Sequence, residues 1–133
     1  MQPILVIDDD PGVREALDQA LSLEGWPVVG VPDGWEGVDW LLLNRPSLVL
    51  LDWGLPDFDG GVVATTLHHT YGDTVPLVLV TGNGDHVSEK AVAMGAFDYL
   101  EKPFEVDVLY QMVRRAMTKG ELLTDVAGAN RRA

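Results

Sequence analysis

Apolar residues in this chain alternate between short unbroken runs and stripes at helical period, five times in succession. Ile4-Leu5-Val6-Ile7, Leu48-Val49-Leu50-Leu51 and Leu77-Val78-Leu79-Val80 are continuous and of strand length, the pattern of strands buried on both faces. They predict strands over 3–8, 47–52 and 76–80, with shorter strands over 27–31 and 97–100. After the first strand, Val13, Ala16, Leu17, Ala20, Leu21 and Glu24 fall at helical spacing, only the last being polar. Asp10 is placed to cap this helix, Pro11 suits its first position and Gly25 stops it. Asp33 is the expected cap of a second helix with Val38, Leu41 and Leu42 turned inward. A third helix over 61–71 carries Val62, Val63, Thr66 and Leu67; a fourth runs over 86–94 and ends at Gly95. The fifth, over 104–118, has Val108, Leu109, Met112, Val113 and Ala116 as its stripe.

Doubly apolar strands separated by helices imply an α/β fold with a parallel sheet covered on both sides, and right-handed crossovers make it a doubly wound three-layer sandwich. In such a sheet the C-terminal strand ends meet in one crevice, where open α/β sheets bind ligands. Here those ends carry Asp8, Asp9 and Asp10, then Asp52, then Thr81, and beyond the last strand Lys102-Pro103. Three kinds of polar group, carboxylate, hydroxyl and ammonium, are thereby directed to one place.

At 133 residues, 47% hydrophobic and 23% charged, the chain suits a single globular domain with a substantial core and not a disordered segment. No apolar run approaches a membrane span, and the N-terminus lacks the basic-then-apolar pattern of a secretory signal. Cysteine is absent, which excludes disulfides and thiolate metal sites and fits a cytoplasmic setting. The net charge of −12 is unevenly spread: residues 1–113 hold 19 acidic and 4 basic side chains, residues 114–133 hold 2 and 5. A body carrying −15 repels phosphates, so direct nucleic-acid binding is not expected.

Four segments, VIDDDPGVREAL, LVLLDWGLPDFDG, LVLVTGNGD and AFDYLEKPF, each close on a predicted strand end. In that order they resemble the four signatures of response-regulator receiver domains, over about residues 2–118. The resemblance implies a flavodoxin-like five-stranded sheet of order 2-1-3-4-5, with a receiver domain at 1–118 and residues 119–133 as a tail or linker that could extend helix five. It makes Asp52 the phosphoacceptor, forming an acyl phosphate. Asp9, Asp52 and the backbone carbonyl of Gly54 become the Mg²⁺ ligands, with Asp8 behind Asp9 acting through water and Mn²⁺ as a substitute ion. Lys102 and Thr81 would each engage a phosphoryl oxygen. Thr81 and Tyr99 resemble the family's switch pair, and Lys102-Pro103 its cis peptide. Gly54 and Asn83, two residues beyond Asp52 and Thr81, occupy positions that tune phosphoryl lifetime; Gly54 lacks a side chain to shield the phosphate.

The resemblance further implies a histidine kinase or phosphotransfer protein as donor, and an effector or output domain as reader. The switch would remodel a surface of helix four, strand five and helix five, with homodimerisation on phosphorylation as one outcome. Catalysis would be confined to the domain's own phosphorylation and autodephosphorylation. Asp8, Asp9, Asp52 and Lys102 sum to −2, so a bound Mg²⁺ balances the cluster. The alternative is a phosphorylation-independent interaction module of the same fold. An aspartyl-nucleophile phosphatase of the haloacid dehalogenase type would need a second Asp where Gly54 stands, and a flavodoxin-like electron carrier would need a hydroxyl-rich loop after strand one.

Other features have plainer readings. His68 and His69, adjacent on a helix, diverge by about 100° and read as solvated surface; His86 does likewise, and Asp10 reads as a cap only. Leu109, Val113, Ala116, Gly120, Leu123 and Ala127 approximate a heptad stripe, which fits either a dimerising linker or, given Gly120 and Gly128, a fraying tail.

Overall fold

The computed structural model describes residues 1–55, 60–82 and 87–132. Five parallel strands, β1 (Ile4–Ile7), β2 (Val28–Val31), β3 (Leu48–Asp52), β4 (Leu77–Thr81) and β5 (Asp98–Glu101), form one sheet of order β2-β1-β3-β4-β5. Five helices alternate with them: α1 (Pro11–Leu23), α2 (Gly34–Leu43), α3 (Gly60–Tyr71), α4 (Val87–Ala93) and α5 (Val106–Arg132). A 3-10 turn at Gly72–Thr74 precedes β4. None of these helices is long and apolar enough to cross a membrane.

The continuous apolar runs are explained by alternation across the pleat. Ile4, Val6, Leu48, Leu50, Val78, Val80 and Leu100 pack with Leu17 and Leu21 of α1 and Leu109, Met112, Val113 and Ala116 of α5. Leu5, Ile7, Val49, Leu51, Leu77 and Leu79 pack on the other face with Leu41 of α2, Val63, Ala64 and Leu67 of α3, and Ala91 of α4. Each fully buried leucine stabilises the sandwich by about 2 kcal/mol relative to an exposed one.

Helix α1 starts where Asp10 accepts from the Gly12 N–H at 2.8 Å and the Val13 N–H at 3.4 Å, with Pro11 at its first turn. It stops at Gly25, whose φ of +86° is a left-handed conformation open to glycine, while the Trp26 N–H closes back on the Leu21 carbonyl. Asp33 caps α2 through the Glu36 N–H at 2.9 Å.

Several expected faces are turned. Leu42, expected inward, is 62% exposed, and Trp40 packs on the core instead. Val62 and Val108 are exposed as well, and so is Ala16. Helix α2 comes close to β1 at Gly37, where any Cβ would lie 2.5 Å from Ile7 Cδ1; with this face turned inward, Leu42 faces outward.

Helix α5 begins at Val106 and continues unbroken past residue 118 to Arg132. The heptad stripe faces the chain's own body as far as Gly120: Leu109, Val113 and Ala116 lie in the core, and Gly120 is buried against Pro76 and the Thr74 carbonyl, where a Cβ would sit at 3.0 and 3.1 Å. Arg45 ties the extension down, donating to Thr74 Oγ1 at 2.9 Å and Thr124 Oγ1 at 3.4 Å while stacking 5.3 Å from the Tyr71 ring centroid. Residues 109–120 of this seam are therefore occupied within one chain and not free to zip a coiled coil.

Candidate functional site

Parallel register brings the C-terminal ends of β1, β3 and β4 side by side, since Ile7 pairs with Leu51 and Asp52 with Val80. Asp8 and Asp9 follow β1, while Asp52 and Thr81 are the last residues of β3 and β4, all at the same edge. Asp8, Asp9 and Asp52 meet there, each offering a carboxylate oxygen within 4.8 Å of the others. Asp8 and Asp52 are 2% and 8% exposed, whereas Asp9 faces solvent.

Lys102 enters from beyond β5, after its N–H has joined the Thr81 carbonyl at 2.6 Å, and the Lys102-Pro103 peptide is cis. Its Nζ donates to Asp8 Oδ2 at 3.0 Å and lies 3.9 Å from Asp52 Oδ1, so in this state it pairs chiefly with Asp8. Thr81 is buried at the same edge. Tyr99 sits half-buried on β5 opposite Leu79, packed among the side chains on the α2–α3–α4 face of the sheet.

Asp52 is held in place by the Gly54 N–H, which donates to Oδ1 at 2.9 Å. Burial raises its pKa above the usual carboxylate range; the Gly54 N–H and the Lys102 ammonium act downward, and the charges of Asp8 and Asp9 act upward. A Cβ at Gly54 would lie 3.4 Å from Asp52 Oδ1, so glycine leaves that side of the carboxylate uncovered. Trp53, beside it, donates its N–H to the Val80 carbonyl and rests partly buried against Gly60.

The donor set suits a small hard divalent cation: three carboxylate oxygens in one cluster, with no nitrogen or sulfur ligand among the described residues, and one exposed carboxylate leaving room for water. With Lys102 the cluster carries −2, the charge such an ion cancels.

The sequence placed Asp8, Asp9, Asp52, Thr81 and Lys102 at this edge, and the structure brings all five together. Asp10 is an exposed cap, as expected. Asn83, His86 and loop positions 56–59 lie outside the described residues. His68, expected as solvated surface, instead bridges elements: its Nε2 lies 2.9 Å from the Met94 carbonyl and its Nδ1 3.4 Å from that of Gly72. Sequence reading also passed over Arg14, whose Nη1 donates to the Asp8 carbonyl at 2.7 Å. Its position one turn after the Asp10 cap was the available signal, because the first turn of α1 stands over the end of β1.

A family model described as "Response regulator receiver domain" matches residues 4–114. Response regulator MprA of Mycobacterium sp. (strain KMS) is 41% identical over 118 residues, 87% of this chain and 50% of that protein. The C4-dicarboxylate transport transcriptional regulatory protein DctD of Pseudomonas aeruginosa is 37% identical over 123 residues, 92% of this chain and 26% of that protein. The chain thus spans half or less of the length of these relatives. Among solved structures, response regulator protein TrrA of Thermotoga maritima in complex with Mg²⁺-BeF superposes with a TM-score of 0.78 at 29% identity, covering 87% of this chain and 99% of that one.

Proposed function

Since this chain belongs to the response-regulator receiver domain family of two-component systems, we propose that it accepts a phosphoryl group on Asp52 from a histidine kinase or phosphotransfer protein, in a reaction that requires Mg²⁺. The observation that carries this reading is the placement of Asp52: a carboxylate at the end of an apolar strand, beside Asp8 and Asp9 and 3.9 Å from Lys102.

In the reaction an Asp52 oxygen attacks phosphorus, a P–O bond to Asp52 forms, and the bond from phosphorus to the donor's nitrogen or carboxylate oxygen breaks. The donor leaves with the bonding electrons and the product is an acyl phosphate. Asp9, Asp52 and the Gly54 carbonyl would hold Mg²⁺, with Asp8 reaching it through water; the ion supplies positive charge against which a dianionic donor can approach. Lys102 follows one phosphoryl oxygen, exchanging part of its contact with Asp8 for the new charge, and the Thr81 hydroxyl donates to another.

Thr81 and Tyr99 couple the event to a surface. When the hydroxyl is drawn toward the phosphoryl group, space opens beneath the β4 end and the Tyr99 ring turns inward, biasing an existing two-state equilibrium at α4, β5 and α5. An effector, an output domain or a second copy of the chain reads that face. Gly54 and Asn83 set how readily water reaches the acyl phosphate.

The test is incubation with acetyl phosphate and Mg²⁺. A hydroxylamine-sensitive label on Asp52, absent without the metal and absent from Asp52→Asn, is expected. An unlabelled wild-type chain at saturating Mg²⁺ would leave the fold serving as a phosphorylation-independent interaction module.

A further inference from the structure

Arg14 is a basic side chain whose charge the phosphoryl-transfer reading leaves unused, although it touches the residues of the site. Its Nη1 donates to the Asp8 backbone carbonyl at 2.7 Å, and the side chain is half-buried. That carbonyl is one end of a planar peptide whose other end is the nitrogen of Asp9, so fixing the oxygen fixes the plane from which Asp9 departs. The following peptide is held too: the Asp10 N–H donates to Asp8 Oδ1 at 2.9 Å. Asp9, the exposed carboxylate of the cluster, therefore has its flanking peptides pinned on both sides. Asp8 in turn is anchored through its N–H to the Val31 carbonyl at 3.1 Å and through Oδ2 to Lys102.

The route taken by the Arg14 arm depends on Gly30 of β2. A Cβ there would stand 3.3 Å from Arg14 Cδ, 3.6 Å from Cβ and 3.7 Å from Cγ, so the bare glycine lets the aliphatic stem lie across the strand with its guanidinium over the end of β1.

We propose that Arg14, seated on Gly30, is a positioning residue for the cation site: it acts through the Asp8 carbonyl to hold Asp9 in the orientation that binds the metal. The proposal rests on the metal-site reading given above. Its electrostatic and positioning consequences have opposite signs, which makes it testable. A guanidinium close to a divalent cation repels it, so deleting the charge by itself tightens metal binding. Deleting the tether frees Asp9 and loosens binding, and outer partners of metal ligands typically govern affinity by 10-fold or more.

The experiment is a Mg²⁺ titration of the whole chain, read by calorimetry and by tryptophan fluorescence, with thermal midpoints measured in chelator. Arg14→Ala is expected to weaken Mg²⁺ binding by about 10-fold. Arg14→Lys, which keeps a charged donor, should recover most of that loss. Gly30→Val keeps Arg14 intact but displaces its stem, and valine favours a strand; it should weaken Mg²⁺ binding without lowering the midpoint, and it carries the test if Arg14→Ala does not fold. Unchanged or tighter Mg²⁺ binding in Arg14→Ala, or in Gly30→Val where only that variant folds, overturns the proposal. A wild-type chain that binds no Mg²⁺ overturns the metal-site reading itself.

Discussion

Replacing Asp52 with Asn should make the metal-free domain more stable, because the site stores like-charge repulsion in the absence of its cation. The carboxylate oxygens of Asp8 and Asp9 lie within 4.8 Å of that of Asp52, so each pair repels by roughly 3.5 kcal/mol at an effective dielectric of about 20. Lys102, at 3.9 Å from Asp52, returns roughly 4 kcal/mol. The balance is a net repulsion of roughly 3 kcal/mol, and solvent around Asp9 and Lys102 reduces it to about 1–2 kcal/mol. Asn keeps the acceptor for the Gly54 N–H and the volume of the side chain, so little else changes. Urea unfolding in chelator at about pH 7 should show a higher midpoint at unchanged slope, and the melting temperature should rise by about 5 °C.

The dependence on pH follows from the raised pKa of Asp52. A carboxyl shifted upward lends stability that is fully present below its ordinary value of 3.8 and is lost as pH rises through the folded-state value. The advantage of Asp52→Asn should therefore be complete at neutral pH and close as pH falls toward 3.8. Mg²⁺ should raise the wild-type midpoint and raise that of the variant much less, since a ligand and a charge are gone. An Asp52→Asn protein less stable than wild type at neutral pH, or a gap that does not narrow on acidification, would refute the reasoning.

Lys102→Met leaves Asp8 buried and unpaired at Oδ2, so the metal-free form should lose about 2 kcal/mol in chemical denaturation, and acetyl-phosphate labelling should fall steeply. Asp10→Ala removes the cap of α1 and should cost about 1 kcal/mol, with labelling at saturating Mg²⁺ preserved. Gly120→Leu drives a side chain into Pro76 and the Thr74 carbonyl; despite its higher helix propensity it should destabilise by about 1–3 kcal/mol, and amide exchange should quicken over residues 118–125. Tyr99→Ala should leave labelling intact while abolishing any phosphorylation-driven change in partner or self-association measured by light scattering.

How far the sequence was legible differs from element to element. Three strands, β1, β3 and β4, are visible because a run apolar at every position can only be buried on both faces, and the order of charged residues at their ends follows directly. Asp8, Asp9, Asp52 and Lys102 therefore fall together at one sheet edge from sequence alone. Leu42 was misplaced because α2 is apolar nearly all round, so period alone could not choose between Leu42 and Trp40; in the fold the face carrying Gly37 turns inward against Ile7. The stripe continuing through Gly120 fits a dimerising linker and a fraying tail equally well on spacing alone, because a stripe does not say what buries it. Pro76, Thr74 and Arg45, distant in sequence, turned out to be its cover.

The order of residues by itself determined the alternation of strands and helices, the doubly buried central strands and which chemical groups share one sheet edge, because alternation and helical period are local properties of the backbone. Only the tertiary structure decided that Lys102 rests on Asp8 more closely than on Asp52, that Arg14 reaches the Asp8 carbonyl across Gly30, and that α5 packs on its own domain through Gly120 and Thr124. Those are contacts between segments far apart in the chain. Their geometry depends on how helices rotate and settle against the sheet, which no local pattern encodes.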